Sequence, residues 1–101
     1  MDTQTLLAEA KARFAHNSAK HYLQEKFSNK LLIAEQGGLW KADQLTISFL
    51  NSFTCDSLVV LDIYDNPVKV DRAALLNKLT ELYTNTMKDW YTEYSELEQK
   101  R

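Results

Sequence analysis

Between residues 3 and 29, Leu7, Ala10, Phe14, Ser18 and His21 recur at spacings of three and four, which predicts one long helix packed through that face. Leu6, Tyr22 and Leu23 widen the stripe, Asp2 or Thr3 can cap the first amides, and Ser28-Asn29 offers a stop. The periodicity then breaks. Residues 31–34 and 39–42 are short apolar-rich runs separated by Glu35-Gln36-Gly37-Gly38. A Gly-Gly pair admits the positive φ that a two-residue hairpin turn needs, so the expectation is an antiparallel hairpin turning at Gly37-Gly38. A helix ending at Gly37 is the competing reading.

Asp43 has the position and chemistry of an N-cap, and Leu45, Ile47, Phe49, Leu50 and Phe53 give the following segment, 44–53, the apolar bulk of a short helix. Residues 58–64 read as a strand, with Leu61 and Ile63 alternating against Asp62 and Tyr64. Asp65-Asn66-Pro67 is a turn, because Asn accepts unusual φ and Pro fixes its own, and 68–70 returns as a second strand. Asp71 caps a final helix running to about residue 99. Its stripe is Leu76, Leu79, Tyr83, Met87, Trp90, Tyr94 and Leu97, broadened by Leu75, Leu82 and Tyr91; the mean step along it is the heptad period. The predicted class is therefore α+β: two long amphipathic helices at the ends, flanking short antiparallel hairpins and one short helix.

The 101 residues suit a single domain spanning 1–101. Hydrophobic residues make up 45% and charged residues 26%, with only two Gly and one Pro, so the chain has the composition of a folded domain rather than a disordered one. A net charge of −2 gives no global field for nucleic acid. Residues 1–30, with Lys11, Arg13, Lys20, Lys26 and Lys30, are the only net-positive third, and charges spread over that many turns read as a solvated helix surface. A single cysteine, no basic-then-apolar leader and no apolar run of membrane-spanning length point to a reducing cytoplasm and no membrane.

Chemistry is sparse. His16 and His21 lie five apart, off the spacing that puts two metal ligands on one helix face. Asp56, Asp62 and Asp65 with Asn66 lack the alternation, central Gly and terminal Glu of a calcium loop, and read as solvated carboxylates around a turn. Cys55 reads as a small buried packing residue between an apolar helix and an apolar strand. Neither a nucleophile elbow nor a phosphate-cradling glycine pattern is present, so no catalytic residue, cofactor, metal or small-molecule ligand is expected. The chemistry that stands out is aromatic. Tyr83, Trp90, Tyr91 and Tyr94, with Leu97, crowd the second half of the last helix, and Trp40 sits beside the Gly-Gly turn. Tyr and Trp bury large areas while keeping a polar handle, which makes these residues candidate interface anchors as well as candidate core. A partner protein or self-association through the C-terminal helix is the expectation, its aromatic end outreaching the rest of the domain.

The phrases Ala34-Glu35-Gln36-Gly37-Gly38-Leu39-Trp40-Lys41-Ala42 and Asn66-Pro67-Val68-Lys69-Val70-Asp71-Arg72 resemble small proteins encoded by T4-like tailed bacteriophages. The resemblance covers the central third of the chain and carries over no functional residue. It implies a phage origin and a structural, assembly or host-takeover role; with no catalytic motif in the chain, the leading expectation is a non-enzymatic interaction protein, a virion component or assembly factor in the host cytoplasm or the particle. The alternatives are a small regulator binding a host enzyme such as RNA polymerase, and a nucleic-acid module using the first helix.

Overall fold

The computed structural model describes residues 3–100, and its elements follow one another as α1 (Thr3–Lys30), β1 (Leu32–Glu35), β2 (Gly38–Lys41), α2 (Gln44–Asn51), β3 (Ser57–Leu61), β4 (Pro67–Asp71) and α3 (Arg72–Gln99). This is the expected α+β arrangement. Of the two candidate caps of α1, Thr3 is already helical and Asp2 lies outside the described residues. The other two caps act as their chemistry predicts. The Asp43 carboxylate accepts from the Thr46 amide at 2.8 Å, and the Asp71 carboxylate from the Ala74 amide at 3.2 Å.

β1 and β2 pair antiparallel with Glu35 opposite Gly38, so the hairpin turns one residue earlier than predicted. The turn residues are Gln36 (φ 49°) and Gly37 (φ 84°), the double positive φ that matches the twist of a two-residue hairpin. Two contacts explain the shift. The Gln36 amide exchanges two bonds with the Asp71 backbone, accepting from its N–H at 2.7 Å and donating to its carbonyl at 3.2 Å, which holds Gln36 in the turn. Gly38 is required in the strand instead, because the Trp40 indole folds back over it: a Cβ on Gly38 would stand 2.7 Å from Trp40 Cζ2. Trp40 Nε1 donates to the Glu35 carbonyl at 2.8 Å, locking the ring across the hairpin.

β3 and β4 pair antiparallel from Ser57–Asp71 to Leu61–Pro67, and β3 stops three residues short of its predicted end. Asp62 ends it. Its carboxylate accepts from the amides of Tyr64 (2.9 Å) and Asn66 (3.0 Å), turning the backbone over its own side chain. The same carboxylate accepts from the Leu39 amide at 3.3 Å, and the Ile63 amide donates to the Leu39 carbonyl at 3.0 Å, so this loop ties the second hairpin to the first. Asp62 is therefore buried rather than solvated, unlike the exposed Asp56 and Asp65. The Asn66 amide, with help from those of Leu39 and Tyr64, holds its carboxyl below the usual carboxylate value against the opposing effect of desolvation.

The core gathers Leu31, Trp40, Ala42, Leu50, Val70, Leu75 and Leu79 between the two hairpins, α2 and the first half of α3. On α3 the buried face runs through Leu75, Leu79 and Thr86, while the predicted stripe members Leu76 and Tyr83 sit half-buried at its edge. Cys55 is exposed, contrary to the packing role expected of it, because the loop after α2 swings out. Arg72 anchors that loop, donating from Nε to the Cys55 carbonyl at 2.7 Å and from Nη1 to the Leu50 carbonyl at the end of α2 at 3.3 Å. The domain is long and narrow, 64 × 24 × 21 Å, although each long helix spans only about 42 Å. The extra length comes from how the two helices overlap.

Candidate interaction surface

α1 and α3 pair antiparallel over part of their length only. Phe27 stacks on Trp90, with ring centres 5.7 Å apart and planes inclined by 11°. Lys26 Nζ bonds both carboxylate oxygens of Glu93, at 2.7 and 3.0 Å. That bond, more than the opposing desolvation, raises the Lys26 pKa above its ordinary value. The Lys26 and Lys30 ammonium groups lie 5.1 and 4.9 Å from the centre of the Phe27 ring. Nearer the end of α3, His16 Nε2 stands 3.3 Å from Glu98 Oε1. This run consumes the C-terminal half of α1.

α3 ends at Gln99, opposite the middle of α1. Every residue of α1 from Thr3 to Ala15 is exposed, and the part before Ala12, which lines a groove with Leu97 of α3, projects about 13 Å beyond the paired region. The predicted geometry is reversed: the aromatic end of α3 is covered by α1, and it is α1 that outreaches the body. The packed face of α1 is also not the main predicted stripe; of the residues read into it, only Leu23, placed at its margin, is buried. Leu23 and Phe27 are its buried residues. Phe14 precedes Leu23 by nine residues, two and a half turns at about 3.6 residues per turn, so the Leu7–Ala10–Phe14 stripe points away from α3. Leu6, Leu7 and Phe14 are 53%, 56% and 75% exposed, a row of large apolar side chains on a solvent-facing helix.

The residues singled out as interface anchors divide. Trp40 is a core residue, 2% exposed, and not a surface anchor in this fold. Tyr83 is half-buried, its hydroxyl accepting from Gln44 Nε2 at 2.7 Å and so joining α2 to α3. Trp90 is half-buried against Phe27, with its remaining surface beside Leu31, Leu45 and Met87 in a shallow groove. Tyr94 and Leu97 are half-buried, and Leu97 closes the groove at the α1–α3 junction with Ala12 and His16. Tyr91 alone stands well out from the helix. The stripe thus does most of its work inside the chain. The exposed row on α1 was visible in the sequence as periodicity, but a periodic stripe does not announce whether it faces its own core or a foreign one.

Among the described residues no three His, Cys, Asp or Glu side chains come together as a metal site, and no helix is long and apolar enough to cross a membrane. The basic residues of α1 do not form one face: Lys26 is bound to Glu93, and Lys30 lies over Phe27. Comparison with protein-family models, with curated proteins and with solved structures finds no match to this chain.

Proposed function

We propose that the chain is a non-enzymatic protein-interaction protein that docks through the projecting half of α1, in the virion-component or assembly-factor class that the phage resemblance implies. One observation supports this above the others: Leu6, Leu7 and Phe14 are exposed on one side of the N-terminal half of α1, the side turned away from α3, and Leu6 and Leu7 lie beyond the end of α3 altogether. A helix segment of this length is marginal in water by itself, and a row of large apolar side chains on it is costly to leave wet. Binding through that row removes both penalties at once, and it is the helix-in-groove mode of recognition, read at positions three and four apart.

The experiment is affinity capture from the cells that produce the protein, with the wild-type chain and with Leu7→Ser/Phe14→Ser as baits. Both baits should show the same far-UV circular dichroism, because neither side chain contributes to the core. The reading expects proteins recovered with the wild type and lost with the variant, and it expects the wild type to appear in purified particles or assembly intermediates. Identical sets from the two baits would refute docking through α1.

A further inference from the structure

We infer that the occupant of the α1 arm is a second copy of this chain, the two arms lying antiparallel about a two-fold axis between Ala10 and Lys11. The inference rests on the docking role proposed for α1 and names its partner. On the arm, Glu9, Arg13, Leu6, Ala10, Phe14 and Leu7 follow one another around about 160° of the helix circumference, centred near Ala10. A two-fold axis at that point sets Leu7 of each copy opposite Phe14 of the other, twice, with the small Ala10 side chains at the crossing where the backbones approach. Glu9 and Arg13 share one flank of this face. The same axis therefore brings Glu9 of one copy to Arg13 of the other, and again in the reverse sense, so that the interface is complementary in charge as well as apolar.

The length of the arm fits. Overlap of residues 3–18 in both copies sets the α3 end of each body, beside its own Ala12–His16, level with residues 5–9 of the other's arm, but α3 packs on the side of α1 facing Leu23, about 140° around the helix from Ala10. The bodies then flank the paired arms without meeting. The area sets the strength. At the exposures of Leu6, Leu7 and Phe14, and on the order of 200 Å² for a large side chain, those residues remove at most about 370 Å² per copy, about 740 Å² in the pair. That is below the span of permanent interfaces, and the dimer is a reversible one of micromolar or weaker affinity.

Sedimentation equilibrium of the full chain, from low micromolar to near-millimolar concentration, is expected to show a monomer–dimer equilibrium. Glu9→Arg and Arg13→Glu should each weaken it several-fold, and the double exchange Glu9→Arg/Arg13→Glu should restore it. On a Cys55→Ser background, Ala10→Cys should oxidise to a covalent dimer, and Ser18→Cys should not, since a disulfide needs Cα atoms within about 7 Å. A strict monomer throughout, or a dimer indifferent to the charge exchanges, overturns the inference. A strict monomer whose Leu7→Ser/Phe14→Ser variant still loses proteins in the capture experiment refutes the second copy as occupant while leaving docking through α1 standing.

Discussion

Replacing Gly38 with alanine sets a methyl group against the Trp40 indole, 2.7 Å from Cζ2, 3.0 Å from Cε2 and 3.2 Å from Nε1. The ring cannot step aside: Trp40 is 2% exposed, and its Nε1 is bound to the Glu35 carbonyl. Overpacking of this kind costs about 1–3 kcal/mol, while removing a strand glycine's extra unfolded-state freedom returns about 0.5–1 kcal/mol. The net expectation for Gly38→Ala is a loss centred on about 1 kcal/mol and at most about 2.5 kcal/mol, the central value being a fall in melting temperature of roughly 4–8 °C for a domain of this size. Urea denaturation followed by circular dichroism gives the number. Gly37→Ala serves as a contrast, because no atom lies within 4 Å of its added Cβ and its cost comes from holding φ at +84°. The two causes separate in a Trp40→Phe background, where the clashing indole atoms are gone. There Gly38→Ala should cost markedly less, and Gly37→Ala about the same. Equal costs for Gly38→Ala in both backgrounds, or a stabilised single variant, would refute the packing argument.

Asp62 carries a pH dependence. Its folded-state pKa lies below the ordinary carboxylate value, so its stabilising bonds are fully present above about pH 4 and are lost as pH falls through the lower folded value. Asp62→Asn should melt below the wild type at neutral pH and approach it in strong acid; thermal melts at the two pH values test this, and a constant gap contradicts it. Phe27, fully buried against Trp90, should cost about 3–5 kcal/mol when truncated to alanine, whereas Phe14→Ala should change monomer stability by less than about 0.5 kcal/mol. A reversal of that order in dilute denaturation experiments would mean the two faces of α1 have been assigned the wrong way round.

Local chemistry was legible in the sequence wherever one side chain decides the backbone. Asp43 and Asp71 mark helix starts because a carboxylate there has an orphan amide to accept from, and both do so. Boundaries failed where the deciding partner is remote in sequence. The first hairpin turns at Gln36 because Asp71 supplies a backbone for its amide, and β3 ends at Leu61 because Asp62 folds back on Asn66 and reaches Leu39. The order of helices and hairpins was readable, but the choice of packed face on α1 was not. Leu7 and Phe14 stand at helical spacing on one side, and Leu23 and Phe27 on nearly the opposite side. Only the docking of Phe27 on Trp90 decides which of them is core. Of the aromatic cluster of α3, Trp90 stacks on Phe27 of α1, Tyr83 bonds Gln44 of α2 and Tyr91 stays exposed.

Amide hydrogen exchange along α1, measured across a series of protein concentrations, tests the central claim most directly. In dilute solution residues 7–15 should exchange rapidly, as the exposed end of a helix that α3 touches only at its Ala12–His16 turn does, while residues 20–30 stay protected by α3. As concentration rises, protection should climb in residues 7–15 alone, and the Leu7→Ser/Phe14→Ser variant should show no such rise. Protection of residues 7–15 that is already high in dilute solution, or that stays flat with concentration, would contradict a docking arm filled by a second copy.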